Sequence, residues 1–499
     1  MCNTRKSTKI LLLAIACSFT TARTALFSQS TVTHTEPVTA AAQELKTQLV
    51  PVSRAAAPAT QGHGINSATG HRKAIAADAF TATLGIEVHM QYNAAYDGGV
   101  SPYSNVDQVE REIRFLNPNG PGTGVAVFRD SQVPGSALLS QVADGTGATA
   151  DLYLGYNAAG ENNLIAFRAV ADALLANHQL ASVEGGLEVD NEGWGLAVHG
   201  GTYRALDGKT ATGWQTVIAS QRDLYNCFRG KVPVMLWSLA IPSDGSAISP
   251  AVLTAKQMHV SIDSIADAGN FHFYAHHGQN PQAEEKGFLI QETGYTPSMP
   301  FATTESGFND GNDSGGSYAG NEVANAVYTV ENVLNLARDG SIQTDIYELN
   351  NDMVSGGFED HWGIFNNDGT PKLAASYLRN FLAVVSDGKT KATETTEANL
   401  DVTITGIPNP ADTLLTAKRN GALDLTLWDD RRLSDENGKA IKPAAAAIHI
   451  DFGRAFSTVR IFDPAKSAEP MSTFSNASSI DLWLAGSPLV VEITPAGSN

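Results

Sequence analysis

The segment Leu84–Met90 (LGIEVHM) is followed by VDQVEREIRFL at Val106–Leu116 and by VAVFR at Val125–Arg129. The first and third are short apolar runs containing β-branched residues, the composition of strands buried in a parallel sheet. In the second, Val106, Val109, Ile113 and Leu116 recur at three- and four-residue spacing, which places them on one helix face. Strand, helix and strand in that order form a βαβ unit, and the alternation continues. Asp151–Tyr156, Ala181–Glu184, Val232–Leu236, Asn270–Tyr274, Phe301–Thr304 and Thr344–Leu349 read as further strands. Helical patterns over Leu164–Leu175, Val217–Phe228 and Val323–Ala337 fall between them. Eight strands alternating with helices predict a parallel sheet, and eight repeats predict its closure into a (β/α)8 TIM barrel over residues 76–388. A doubly wound open sheet is the alternative. No Gly-rich phosphate fingerprint follows the first strand, which counts against a nucleotide-binding version.

Outside the barrel the patterns change. Arg5, Lys6 and Lys9 precede the apolar stretch Ile10–Ala16, so residues 1–25 read as a secretory signal peptide, too short to be a transmembrane segment. The expected location is secreted or periplasmic. Ala14-Ile15-Ala16-Cys17 also has the layout of a lipoprotein cleavage site, so a lipid anchor at Cys17, on an outer-membrane or cell-surface lipoprotein, is the alternative. Residues 26–75, rich in Ala, Thr, Ser, Gln and Pro, read as a disordered spacer. Beyond the barrel, Leu423–Trp428, Ala447–Ile450, Val459–Phe462, Ile480–Leu484 and Leu489–Ile493 alternate as half-buried strands do, and Asn420-Gly421 has the chemistry of a tight hairpin turn. Residues 389–499 are therefore expected to form a small antiparallel β-sandwich with a structural role.

The 499-residue chain carries 52 acidic against 33 basic residues, a formal charge of −19, which would repel a phosphate backbone and excludes nucleic acid as a partner. Of three cysteines, Cys2 and Cys17 belong to the N-terminal segment. Cys227 is left alone, so no intrachain disulfide is expected, and it reads as a structural thiol inside a helix. No His or Cys cluster suggests a catalytic metal, and no cofactor is implied. The loop Gly307–Gly320 is dense in Asp, Asn and Gly but lacks the ligand spacing of a calcium loop. No G-x-S-x-G elbow is present, which disfavours a serine esterase.

In a parallel barrel the chemistry lies at the C-terminal ends of the strands. Glu188 and Glu192 follow the fourth strand, and Glu305 ends the seventh. Two carboxyl groups flanking a scissile bond are what glycoside hydrolysis requires, one to protonate the leaving oxygen and one to attack the anomeric carbon. The alternative is that these are solvated loop acids; their position at strand ends favours function.

At this point the chain resembles clan A glycoside hydrolases, and more narrowly secreted relatives of family 39. Ser182–Asn191 (SVEGGLEVDN) is similar to S-I-E-G-P-N-E-V-x-N, Asn270–Tyr274 (NFHFY) to N-x-H-x-Y, and Ala302–Phe308 (ATTESGF) to A-T-E-T-G-Y. Ile346–Leu349 (IYEL) and His361–Ala375 (HWGIFNNDGTPKLAA) continue the match in the family's order, so the resemblance covers Leu84 to the C-terminus. It implies a retaining double displacement on a polysaccharide or oligosaccharide, with Glu305 as nucleophile. Arg129 would hold that carboxylate ionised, and the Tyr274 hydroxyl would orient it beside His272. In one register Glu188 is the acid/base, although Leu187 and Gly186 stand where the family has Asn and Pro. In a second register Asn191-Glu192 supplies the Asn-Glu pair; Glu188 is preferred because Glu184, Gly185, Val189 and Asn191 match with it. His89, Trp237 and Trp362 are candidate sugar contacts, each with a core role as the alternative. Leu187 also motivates a second reading, a non-hydrolytic carbohydrate-binding protein on a degenerate barrel.

Overall fold

The computed structural model describes residues 67–91, 101–155, 164–190, 202–239, 250–296, 298–311, 318–351, 361–387 and 398–494. The signal peptide, Cys17, most of the expected spacer, Asn191, Glu192 and part of the Gly307–Gly320 loop lie outside the described residues.

The barrel strands are, in order, Leu84–Glu87, Val127–Ser131, Thr149–Leu154, Leu180–Gly186, Val234–Met235, Gly269–Tyr274, Phe301–Gly307 and Thr344–Ile346. Each pairs in parallel with its neighbour in sequence, and the eighth returns to the first. The fifth and sixth meet through the parallel bridge Met235–Ala268, where the Leu236 N–H donates to Ala268 O at 2.9 Å. The sheet is therefore a closed barrel, as the alternation predicts.

Helices alternate with these strands, from Val106–Phe115 after the first to Leu373–Val385 after the eighth. Their ends follow local rules. Asn105 and Asn321 cap the helices Val106–Phe115 and Glu322–Asp339 by accepting the N–H of Gln108 and Ala324, while Gly340 ends the second of these and Gly147 ends Ser136–Thr146, with φ of 93° and 76°, a region that favours glycine. The helices bury one face on the barrel through residues such as Ile113, Leu139, Phe167, Leu224, Val333 and Phe381. Each such side chain contributes about 1.5–3 kcal/mol relative to exposure. Cys227 lies half-buried against this layer rather than fully inside it.

The interior of the barrel is largely polar, with a small apolar cluster of Met235, Ala268 and Ala302. Gly85 makes room for this layer, since a Cβ there would lie 1.7 Å from Asp345 Oδ1. Gln343 Nε2 donates to Asp151 Oδ2 and Asp345 Oδ2, both at 2.8 Å, and the Ser182 hydroxyl donates to Gln343 Oε1 at 3.0 Å.

The C-terminal β-domain is one eight-stranded sheet that curls about its own core of Leu400, Val402, Ile404, Leu425, Ile450, Val459, Leu482 and Val491, among others. Two expectations need correction. Residues 67–76 are not spacer: Ser67–Lys73 pairs antiparallel with Asn399–Thr405, and Ile75–Ala76 pairs in parallel with Thr416–Ala417. Their composition hides this because the partner strand supplies the buried apolar side chains Leu400, Val402 and Ile404. Likewise Ala447–Ile450 and Val459–Phe462 are parts of one strand, Ala446–Phe462, whose register with its partner shifts between Asp451 and Phe456. Asn420-Gly421 does turn a hairpin, joining Thr413–Ala417 to Leu423–Leu427, with Gly421 at φ 84°. The β-domain packs on the barrel through Trp428, whose Nε1 donates to Asn335 Oδ1 at 2.9 Å. Among the described residues no helix is long and apolar enough to cross a membrane.

Candidate active site

Arg129, on the second strand, is 0% exposed and bonded to three carboxylates. Its Nη1 donates to Glu87 Oε1 and to Glu305 Oε1, each at 2.7 Å; its Nε donates to Glu184 Oε1 at 2.5 Å and its Nη2 to Glu184 Oε2 at 3.2 Å. The Tyr153 ring lies under the guanidinium, 4.6 Å away.

Glu305 reaches this cluster because the seventh strand carries an irregularity. The register with the sixth strand jumps from Phe271–Thr303 to His272–Glu305, so the consecutive residues Thr304 and Glu305 both turn into the barrel. The Tyr274 hydroxyl donates to Glu305 Oε2 at 2.6 Å, and His272 Nδ1 stands 3.1 Å from the same oxygen. Burial pushes the Glu305 carboxyl up, but the charges of His272 and Arg129, with hydrogen bonds from His272 and Tyr274, outweigh it and hold the group below its ordinary value. Burial, and then the Glu305 charge, push the Tyr274 phenol well up, so it stays a donor.

Glu188 follows the fourth strand in a turn with φ of 37°, a left-handed conformation rare for a non-glycine residue. Its backbone N–H donates to Ser238 Oγ at 2.9 Å, and its Oε1 lies 3.1 Å from His272 Nδ1. His272 thus stands between the two glutamates, and ligating atoms of Glu188, His272 and Glu305 all lie within 4.8 Å of one another. Burial lowers the His272 imidazole, but Glu305 and then Glu188 push it up to about 10.

On the other side of Arg129, His89 Nε2 is 2.9 Å from Glu87 Oε1 and its Nδ1 is 3.3 Å from Glu348 Oε2, which also accepts the Tyr103 hydroxyl at 3.0 Å. Asp151, Glu184 and Asp345 form a second close trio, in which Arg129 donates to Glu184 and Gln343 to the two aspartates.

Of the residues singled out in the sequence, the structure brings Glu188, Glu305, Arg129, His272 and Tyr274 together, with His89 one residue away through Glu87. Trp362 adjoins Tyr274, ring centroids 5.0 Å apart, but is 2% exposed and enclosed by Tyr274, Tyr318 and Tyr347. Trp237 is a core residue, packed with Val189, Val217, Ile218 and Leu236, so the sugar-contact expectation is corrected there. Within the Gly307–Gly320 loop, Asp310 is committed to Lys372 Nζ at 2.8 Å and to His361 at 3.2 Å. Glu87, Glu184 and Glu348 were not expected. A signal for them exists, since a fully buried arginine requires compensating anions, and Glu87 precedes His89 by two positions on one strand face.

The buried acids set how stability responds to pH. Asp130 is pushed up to about 8 and Glu112, Asp424 and Asp430 each to about 7, in every case chiefly by burial. Between about pH 4 and 8 the native chain therefore binds more protons than the unfolded chain, and stability falls as pH rises. The stabilisation from His272 is complete below the ordinary histidine value and is lost as pH rises through about 10. Glu305 and Glu184, both held low, act in the opposite sense: their stabilisation is present above the ordinary glutamate value and is lost under strong acid. The melting temperature is expected to peak between about pH 4 and 6 and to decline by about pH 8. Calorimetry across that range checks this; a midpoint climbing steadily from about pH 5 to 8 would contradict it.

No protein-family model matches the chain, and no curated protein sequence matches it. Among solved structures it is similar to a family 39 β-xylosidase from Caulobacter crescentus, with a TM-score of 0.49 and 10% identity over 85% of this chain and 98% of that one. It is also similar to a glucosidase from Croceicoccus marinus, with a TM-score of 0.48 and 12% identity over 79% and 92% of the two chains. A family 39 glycoside hydrolase from the gut symbiont Bacteroides cellulosilyticus has a TM-score of 0.45 and 13% identity, over 84% and 82%.

Proposed function

We propose that this chain is a retaining glycoside hydrolase acting on a polysaccharide or oligosaccharide outside the cytoplasm, with Glu305 as nucleophile and Glu188 as acid/base. The observation that carries the reading is the pairing of these two glutamates across His272, with carboxylate oxygens within 4.8 Å at the C-terminal end of the barrel. Inverting enzymes need a gap of roughly 6.5–9.5 Å to admit a water between the two groups, whereas direct attack by the second carboxylate needs roughly 5–5.5 Å. Carboxylate oxygens that approach within 4.8 Å suit attack.

In the first half-reaction Glu305 forms a bond to the anomeric carbon as the bond to the leaving oxygen breaks, and Glu188 gives that oxygen a proton. Arg129 and Tyr274 keep Glu305 ionised and aimed while it waits, with one carboxylate oxygen held by each. In the second, water attacks the anomeric carbon, Glu188 takes its proton, and Glu305 leaves. His89 has its two ring nitrogens facing Glu87 and Glu348 and so fixes these carboxylates beside the site. The leader segment, if read as a signal peptide, would deliver the enzyme to the periplasm or outside; lipid attachment at Cys17 would hold it at a membrane surface.

A panel of nitrophenyl glycosides tests the reading. Release of nitrophenol should be accompanied, by NMR during the first turnovers, by a sugar of the same anomeric configuration as the substrate. The opposite anomer would exclude double displacement. Binding of oligosaccharides without any release would favour the non-hydrolytic reading that Leu187 motivates.

A further inference from the structure

Five groups determine where the proton on His272 sits. Nδ1 faces Glu188 Oε1 and Glu305 Oε2, both at 3.1 Å and both acceptors when ionised. Nε2 faces Thr304 Oγ1 at 3.4 Å. The one hydrogen of that hydroxyl is claimed by Glu184 Oε2 at 2.8 Å or by Asn270 Oδ1 at 2.9 Å, so towards His272 the hydroxyl is an acceptor. Both ring nitrogens therefore face acceptors, the arrangement that suits an imidazolium. The other charged and titratable groups around it are Arg129, reached through Glu305, and Tyr274 on the same strand.

An acid/base glutamate must carry a proton before the glycosidic bond breaks. Here the proton nearest to Glu188 is already on the imidazole. Resting on the hydrolase reading above, we infer that His272 stores the proton that Glu188 delivers to the leaving oxygen, passing it across the Nδ1···Oε1 hydrogen bond and recovering it in the second half-reaction. The resting arrangement, imidazolium between two carboxylates, and the reactive one, neutral imidazole beside a protonated Glu188, contain the same number of protons. Their interconversion requires no exchange with solvent. In the first half-reaction the proton moves from His272 to Glu188 and from Glu188 to the leaving oxygen as the anomeric carbon–oxygen bond breaks and the bond to Glu305 forms. Esterified Glu305 no longer carries the charge that favours the imidazolium, so the proton is released when it is needed. In the second, the proton taken from water by Glu188 returns to His272 as Glu305 becomes a carboxylate again. The relay makes His272 a positioning residue for the proton, acting through Glu188.

Two measurements on the full chain test this. Nitrogen NMR of the histidine ring, without substrate, should show His272 doubly protonated at about pH 7, with its midpoint lowered by at least ~1 unit in Glu305→Gln. With an alkyl glycoside of a sugar whose nitrophenyl glycoside the wild type hydrolyses, so that the leaving oxygen needs the proton, His272→Gln should pull the alkaline limb of kcat/KM down by ~2 pH units. His272→Asn, with melting temperature measured for both variants, separates this shift from misfolding. A neutral ring at about pH 7, or an alkaline limb that does not move, overturns the relay while Glu305 still accepts a fluoro-sugar label. Failure of the wild type to take that label, with the ring doubly protonated, overturns the hydrolase reading and the relay with it.

Discussion

Replacing Arg129 with methionine is expected to destabilise the chain by about 3–5 kcal/mol or to prevent folding, and to abolish any activity that depends on Glu305. The guanidinium is wholly buried and is bonded to Glu87, Glu184 and Glu305. Removing it leaves carboxylates facing one another in a desolvated barrel, and they can relieve the repulsion only by binding protons. Glu305 would then have only His272 and Tyr274 to favour its charged form, and its carboxyl would shift upward. Arg129→Lys should recover part of the stability, because one ammonium restores the charge but cannot match the separate directions in which Nε, Nη1 and Nη2 now donate. Urea unfolding of the three proteins measures this. A wild-type midpoint for Arg129→Met would show that the glutamates are not held as anions by this side chain.

Glu188→Gln should slow the hydrolysis of glycosides with poor leaving groups by about 10²- to 10⁴-fold while largely sparing an activated aryl glycoside. An activated aryl alcohol departs without a proton, so only the second half-reaction then needs a base. Added azide, which needs no deprotonation, should restore that step and yield a glycosyl azide. Glu192→Gln provides the contrast and should weaken binding of substrate without this selectivity. If the selective, azide-rescued loss belongs to Glu192 instead, the register through the end of the fourth strand is the second one, carried by Asn191-Glu192. Of the two, Glu188 lies among the described residues, with its Oε1 3.1 Å from the ring nitrogen that also touches Glu305.

All eight barrel strands were legible in the sequence because each is a short apolar run that has to be buried on both faces. Helices with a strong one-sided pattern, such as Val106–Phe115 and Glu322–Asp339, were equally plain. Ser136–Thr146 and Pro281–Tyr295 were not, being interrupted by glycine and small or polar residues. Ser67–Lys73 escaped for a different reason: its strand character comes from pairing with Asn399–Thr405, far away in the chain, and not from apolar residues of its own. In the site, residues belonging to a local motif were found and those defined by a tertiary relation were not. Tyr274, His272 and Glu305 sit in recognisable contexts, whereas Glu87, Glu184 and Glu348 acquire meaning only when Arg129 and His89 are brought against them. Trp237 shows the converse, since an aromatic residue at a strand end looks the same in sequence whether it faces a sugar or, as here, a packed side cluster.

The central claim is that Glu305 attacks carbon. Incubation with activated 2-deoxy-2-fluoro glycosides, followed by proteolysis and mass spectrometry, tests it directly, because the fluorine slows both formation and breakdown of the intermediate while the activated leaving group restores its formation, so the ester accumulates. One sugar per chain should be found on the peptide containing Glu305, with the label absent from Glu305→Gln. A label on Glu188 or another residue, or none from a sugar whose nitrophenyl glycoside the wild type hydrolyses, would contradict the assignment.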